Sequence, residues 1–382
     1  MTTRLSIICI WFCFILLLIM GIVMVASTGL SAPVPQGTSN TSFIFKQSLF
    51  GAVGLGGALA LSAFDYHILR RWVVALWILC SFLLICCYLP GIGMTINGES
   101  RWVNLGFMSF QPSELAKITL MLALASWYTT YREMAGTFWC GFAIPGGVIF
   151  GIPLLLILME KDMGTAAALA MSGFCIMYVS GARGWLILLS FLVGALALYM
   201  MATGSENRMM RIEAWFDPQA FSQGAGRQQW IAMLAFARGG ITGVGLGNGI
   251  EKYGNLPFAH TDFIFAEVGE EWGFIGSALV LMLYTFMTVS GIILALQTQE
   301  TFGRLLATGL VCTIFWPAAL NMMVVTSMLP NSGLPLPFIS YGGTNLVFTI
   351  AAIGILTSIQ RHTPIIRQNY WPLRRLKENP KL

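Results

Sequence analysis

Charge is what this chain has least of. Asp, Glu, Lys and Arg make up only 10% of its 382 residues, and histidine occurs three times. With 57% hydrophobic residues and a mean hydropathy of +0.76, that scarcity excludes an ordinary soluble domain. The net charge of +5 is spread along the chain without forming a basic stripe, so no nucleic-acid partner is expected. Cysteine is missing from every external loop. All eight (Cys9, Cys13, Cys80, Cys86, Cys87, Cys140, Cys175, Cys312) fall in apolar blocks, which argues against a disulfide framework and leaves no metal-ligand spacing. They read as small apolar packers. The glycine-rich run from Gly239 to Gly254 lacks both the Gly-Lys-Ser/Thr ending and the GxGxxG spacing of nucleotide-cradling loops.

What is present is a series of apolar blocks of about 18 to 25 residues, the length that crosses a bilayer's hydrocarbon core. Ten spans are expected: Leu5–Ala26, Gln47–Phe64, Trp72–Leu89, Ser113–Thr130, Phe138–Leu158, Gly164–Ser180, Trp185–Thr203, Glu271–Leu296, Leu305–Met328 and Gly342–Gln360. The expected fold is thus an all-α polytopic membrane bundle forming one domain over residues 1–382, with a large extracytoplasmic loop at about 204–270 and a cytoplasmic tail at about 361–382. The first block follows Arg4 and is too long for a typical signal-peptide core, so it reads as a retained span. An even number of spans puts both termini on one side. Twelve basic residues then share that side: Arg4, Arg70, Arg71, Arg132, Arg183, Arg304, Arg361, Arg367, Arg374, Arg375, Lys377 and Lys381. The short opposite loops carry only Lys46, Arg101 and Lys161, which makes the termini cytoplasmic. Eight of the sixteen acids lie between residues 206 and 271, on the outer side, and insertion rules do not account for them.

Four outward stretches, and a fifth beside them, hold the candidate chemistry. In the first, from Asn97 to Lys117, Pro112 suits a helix start, and Glu114 and Lys117 share one helical face three residues apart. They read either as a neutralising pair or as groups that orient a polar cavity. Arg101 and Trp102 read as an interfacial anchor or as an anion contact beside a flat stacking surface. In the second, Asp162 opens a helix after Glu160-Lys161, as a cap or a cavity contact. In the third, the long loop, Arg208, Arg211, Trp215 and Phe216 have the spacing of an amphipathic helix on the membrane surface. The loop's seven glycines between 239 and 254 fit close backbone approach to a ligand or a neighbouring helix. In the fourth, Pro330, Pro335 and Pro337 forbid regular helix before Gly342-Gly343, which fits the wall of a pocket or a rigid connector. Beside them, His260-Thr261-Asp262 precedes an apolar run. There Thr261 or Asp262 is either an N-cap, in an incomplete capping signal, or Asp262 is a general base in a partly desolvated pocket. Spacing alone leaves the two readings even.

The runs SRWVNLG (100–106), QPSELAK (111–117), DMGTA (162–166), LPFAHTDFIFAEVGEEWGFIG (256–276) and LPLPFISYGGTN (334–345) resemble, in this order, the SEDS family of bacterial cell-wall proteins, the FtsW, RodA and SpoVE group. The resemblance covers nearly the whole chain and favours the FtsW-like division branch. It implies a peptidoglycan glycosyltransferase that polymerises lipid II outside the cytoplasmic (inner) membrane, with a division-septum location. It also implies a class B penicillin-binding protein transpeptidase as partner, alongside other divisome or elongation membrane proteins. By the same match Asp262 is the essential aspartate, His260 and Thr261 complete its motif, and Trp102, Glu114, Lys117, Asp162, Ser340, Tyr341, Gly342 and Gly343 stand at cavity positions. Phe258, Glu160-Lys161 and Gly226-Arg227-Gln228 depart from the family's usual residues. The implied chemistry is one inverting displacement, with Asp262 as base. Arg101, Arg208, Arg211, Lys117 or a divalent cation (Mg or Mn) would meet the leaving pyrophosphate. The alternatives are a lipid II flippase, which needs charges deep in several spans, and a non-catalytic scaffold for the penicillin-binding protein.

Overall fold

Apolar blocks separated by Pro, Gly and short polar turns produce a helical bundle. The computed structural model describes residues 3–29, 41–96, 99–104, 106, 109–203, 206–253, 256–257 and 259–362. The first half contains α1 (Thr3–Gly29), α2 (Thr41–Ala63), α3 (His67–Arg71), α4 (Val73–Cys86), three strands and α5 (Pro112–Thr130). A π-helical stretch (Trp139–Phe150) containing Pro145 then runs into α6 (Gly151–Met159), followed by α7 (Met163–Val179) and α8 (Gly184–Thr203). The second half contains α9 (Glu206–Phe216), α10 (Arg227–Gly239), α11 (Ile264–Glu271), α12 (Gly273–Gln297), α13 (Thr301–Val325) and α14 (Gly343–His362).

Helix covers each of the ten expected segments. Among the described residues, six helices are long and apolar enough to cross a membrane: Thr3–Gly29, Ser42–Ala63, Trp139–Met159, Gly273–Gln297, Thr301–Val325 and Gly343–His362. Val73–Cys86, Met163–Val179 and Gly184–Leu196 are shorter apolar helices. Within the bundle, α2 packs on α14, α1 on α12, and α13 on α5, α7, α12 and α14, which makes α13 a central post. Its buried face is Leu306, Leu310, Ile314, Ala318 and Val325.

Three expectations need correction. First, the fold is not purely helical. Strands β1 (Gly93–Ile96), β2 (Glu99–Asn104) and β3 (Ser109–Phe110) form a small antiparallel sheet in that order. Met94 stands opposite Trp102, and Val103 opposite Phe110. The sequence signal was Asn97-Gly98, a hairpin dipeptide, between runs rich in β-branched and aromatic residues. Second, the stretch 204–270 has structure of its own. Besides the expected amphipathic α9 it contains α10, which buries Ile231, Ala232 and Ala235 on one face, and α11. Third, Glu271 does not begin a span. It ends α11; a break at Trp272 and Gly273, whose φ of +67° favours glycine, separates it from α12.

The expected close approach in the glycine-rich run is to a helix. A Cβ on Gly239 would lie 1.8 Å from the carbonyl oxygen of Gly269 in α11. Gly239→Ala is therefore expected to destabilise the fold by about 1–3 kcal/mol, read as a lower melting temperature in detergent.

The two ends of the bundle differ. One gathers the sheet, the α6–α7 turn, α9 to α11 and residues 329–342. At the other, Arg70 donates to Thr130 (3.2 Å), Arg183 to the Gly136 carbonyl (2.8 Å) and Arg361 to Ser62 (3.2 Å). There His67 bridges Asp65 (2.5 Å) and Glu300 (2.7 Å), and these charges raise its pKa against the opposing effect of burial.

Candidate active site

The loop entering α11 presents Asp262, and its backbone is held from three sides. Asn321, on α13, donates to the Asp262 carbonyl at 2.7 Å and to the Leu334 carbonyl at 2.6 Å. Ser340 Oγ donates to the Thr261 carbonyl at 2.6 Å and accepts from Leu336 N–H at 2.7 Å. Tyr341 N–H donates to the His260 carbonyl at 2.9 Å. The His260 ring lies 5.2 Å from Phe43 and 6.0 Å from Tyr341. Irregular backbone inside a helical bundle must find partners within the protein. The proline-rich run supplies them, and it fixes the loop that carries Asp262.

Thr261 and Asp262 do not cap α11. Phe263 is the N-cap residue, and it gives no side-chain hydrogen bond to the helix. The Asp262 carboxyl is half-buried, beside Gly333 of the proline-rich run. Burial pushes its pKa up to about 6; the Asp162 charge adds to this, while Arg101 and the Thr261 side chain pull it down.

Arg101 and Asp162 complete the cluster. Arg101, on β2, lies 3.4 Å from Asp162 Oδ2. Asp162 has the capping role weighed for it, and it meets two side chains besides. Its Oδ1 accepts from Thr165 N–H at 3.0 Å and caps α7, and its Oδ2 meets Arg101 and the Gln111 amide (3.4 Å). Asp162→Ala removes a cap worth about 1 kcal/mol and frees Arg101, so the melting temperature should fall modestly and Arg101-dependent binding should change. Trp102 follows Arg101 on β2 and is half-buried.

Glu114 and Lys117 form a buried ion pair at 2.9 Å, and Asn345 on α14 donates to Glu114 at 3.2 Å. They border a small cavity with Thr313, Phe348 and Thr349. Gly342 and Gly343 lead into α14, and a Cβ on Gly343 would lie 2.7 Å from the Phe50 ring.

Other expected contributors lie elsewhere. Arg211 is exposed on α9. The Arg208 side chain and Phe258 lie outside what is described, as do tail residues 363–382. The acids Glu267, Glu270 and Glu271 serve the glycine-rich run. Glu271 pairs with Lys252 at 2.5 Å and accepts from Ser27 (2.6 Å) and Gly247 N–H (3.0 Å). Glu270 accepts from Ile250 N–H (3.0 Å) and Glu251 N–H (3.3 Å), and Arg238 pairs with Glu251. Sequence reasoning missed Asn321, Gln111 and Lys252. Asn321 had a signal, since a lone amide inside an apolar helix marks a functional position by default.

Fold and site together define a multi-pass helical membrane protein with a carboxylate–guanidinium cluster at one end of the bundle. Residues 7–365 match the FtsW/RodA/SpoVE model described as "Cell cycle protein", and the chain belongs to that family. It is 34% identical over 345 residues to the probable peptidoglycan glycosyltransferase FtsW of Geobacter sp. (strain M18), covering 90% of this chain and 94% of that protein. It is 33% identical over 351 residues to the stage V sporulation protein E of Bacillus subtilis (strain 168), covering 91% and 95%. Among solved structures, a chain from work on a peptidoglycan synthase complex that coordinates polymerization and crosslinking matches with a TM-score of 0.72 and 26% identity, covering 91% of this chain and 96% of that one. The rod shape determining protein RodA of Thermus thermophilus matches with a TM-score of 0.67 and 26% identity, covering 92% and 95%.

Proposed function

We propose that this chain is a peptidoglycan glycosyltransferase that polymerises lipid II at the outer face of the cytoplasmic membrane during cell division, with Asp262 as general base. The carrying observation is a half-buried carboxyl, raised to about 6, held at the rim of the bundle beside one guanidinium in a chain of this family. At neutral pH that carboxyl is mostly ionised yet basic enough to take a proton. It accepts the proton of the acceptor sugar's 4-hydroxyl as the oxygen attacks the donor's anomeric carbon. The bond to the lipid pyrophosphate breaks in the same displacement and the centre inverts. Arg101 meets the charge growing on the leaving group. Among the described residues no three His, Cys, Asp or Glu side chains are grouped to hold a metal.

The topology belongs to the same proposal: one domain over residues 1–382, ten spans, both termini cytoplasmic, and the Asp262 cluster outside. A class B penicillin-binding protein is the proposed partner, with other divisome or elongation membrane proteins around it at the septum. The buried charge pairs speak against the flippase alternative. In Glu114–Lys117 and Lys252–Glu271 each buried charge is neutralised by its partner within the protein.

Purified protein given labelled lipid II is expected to make glycan polymer. Transbilayer movement of lipid II without polymer would establish the flippase instead. Neither polymer nor movement, in a folded protein with its transpeptidase present, would leave the scaffold reading.

A further inference from the structure

Beside the Arg101–Asp162–Asp262 cluster sits a carboxyl that the mechanism above does not use. Glu160 closes α6 and begins the turn into α7, where Lys161 adopts a left-handed φ of 65°. The residue is 1% exposed, and among the described residues no nitrogen or oxygen donor meets its carboxyl oxygens, with only the weakly donating Cys87 thiol beside them. A carboxylate so poorly partnered is too costly to bury, so such a group takes up a proton. Its charged and titratable neighbours come from every side. Asp162 lies on its own turn, Arg101 on β2, and Cys80, Cys87 and Tyr88 on α4 and the residues just after it. Burial first, then the Asp162 charge, pushes the Glu160 pKa up to about 9, while Cys87 and Arg101 pull the other way. Arg101 pairs directly with Asp162, and its charge also acts on Asp262 and Glu160.

Building on the glycosyltransferase reading, we propose that Glu160 is a positioning residue which, held as a neutral acid, does not draw Arg101 away from Asp162, Asp262 and the donor's pyrophosphate. An ionised Glu160 would be a further carboxylate competing for that guanidinium. It would pull Arg101 toward the α6–α7 turn, and it would add negative charge where the leaving group must develop its own. Glu160 acts through Arg101 and touches no reacting atom.

The test is the pH profile of lipid II polymerisation by the full chain, comparing wild type with Glu160→Gln, which mimics the neutral acid, and with Glu160→Met, which fills the same length without a polar atom. The wild-type rate should fall as pH rises through about 9. Both variants should hold their rate there, so that one pH unit higher they outpace wild type by roughly ten-fold. The acid limb near 6, which belongs to Asp262, should not move. An infrared band from a protonated carboxyl that titrates in wild type and is absent from both variants gives the same answer without turnover. The proposal is overturned if wild type and variants share one alkaline limb. It is also overturned if folded variants lose polymerisation at pH 7, since the carboxyl itself would then be required. Wild type making no polymer at any pH overturns the glycosyltransferase reading, and this proposal with it.

Discussion

Asp262→Asn is expected to abolish lipid II polymerisation almost completely, with a rate loss of about 10²- to 10⁴-fold, the usual contribution of a positioned general base. The amide keeps the shape and the polarity but cannot accept the hydroxyl proton. The loop it sits on is fixed by backbone bonds to Asn321, Ser340 and Tyr341, none of which involves the Asp262 side chain. The variant should therefore stay folded. Its stability follows from the sign of the shift. A carboxyl whose folded pKa is raised, from 3.8 to about 6, binds more protons folded than unfolded between those values, so stability falls as pH rises through that window. An uncharged amide removes that cost, so Asp262→Asn should melt no lower than wild type at pH 7. Wild-type polymerisation should fall as pH drops through about 6, where the base becomes protonated. Full activity in the Asn variant would end the general-base assignment. A variant that is inactive because it has unfolded would show instead that the carboxyl holds the loop.

How much of this was legible beforehand depended on whether a residue's role was local. Helices whose apolar length sets them were placed to within a few residues, and Pro112 correctly opened α5. Asp162 read correctly as a cap because the three-residue reach to Thr165 N–H is written in sequence order. Glu114 and Lys117 paired as their spacing implied. The failures were long-range. Nothing in the order of residues says that Asn321 reaches back 59 positions to the Asp262 carbonyl, or that Ser340 reaches back 79 to Thr261. The sheet was missed because its strands are short and sit among helices, where an apolar stretch of a few residues has no decisive period. The acids of α11 stood out by density alone, with no partner legible in sequence order, and the charges that act on Asp262 are those of Arg101 and Asp162, from other elements.

Those acids set the second large expectation. Lys252→Met should destabilise the protein by about 3–5 kcal/mol, the cost of stranding a buried charge. The Lys252 side chain is 1% exposed, and its ammonium donates to Glu271 at 2.5 Å, to Ser27 Oγ at 2.8 Å and to the Gly247 carbonyl at 2.9 Å. Glu267 and Glu270 lie beside Glu271 on α11, all three buried, and neither oxygen of Glu267 has a hydrogen-bond partner. Burial, then the charges of Glu270 and Glu271, pushes the Glu267 pKa up to about 8, with Lys252 pulling it down. Removing the one ammonium leaves this group of carboxyls with no buried cation. Because Lys252 also ties the glycine-rich run to α1 through Ser27, the loss should appear first as proteolytic cleavage between residues 239 and 253, and then as a lower melting temperature. The double variant Lys252→Met, Glu271→Gln removes both charges and should recover most of the loss, since exchanging a whole buried pair is often close to neutral. If the single variant melts like wild type, Lys252 is not the counter-charge that holds the run against α11. If the double variant is as unstable as the single one, the ammonium matters through Ser27 and Gly247 rather than through Glu271.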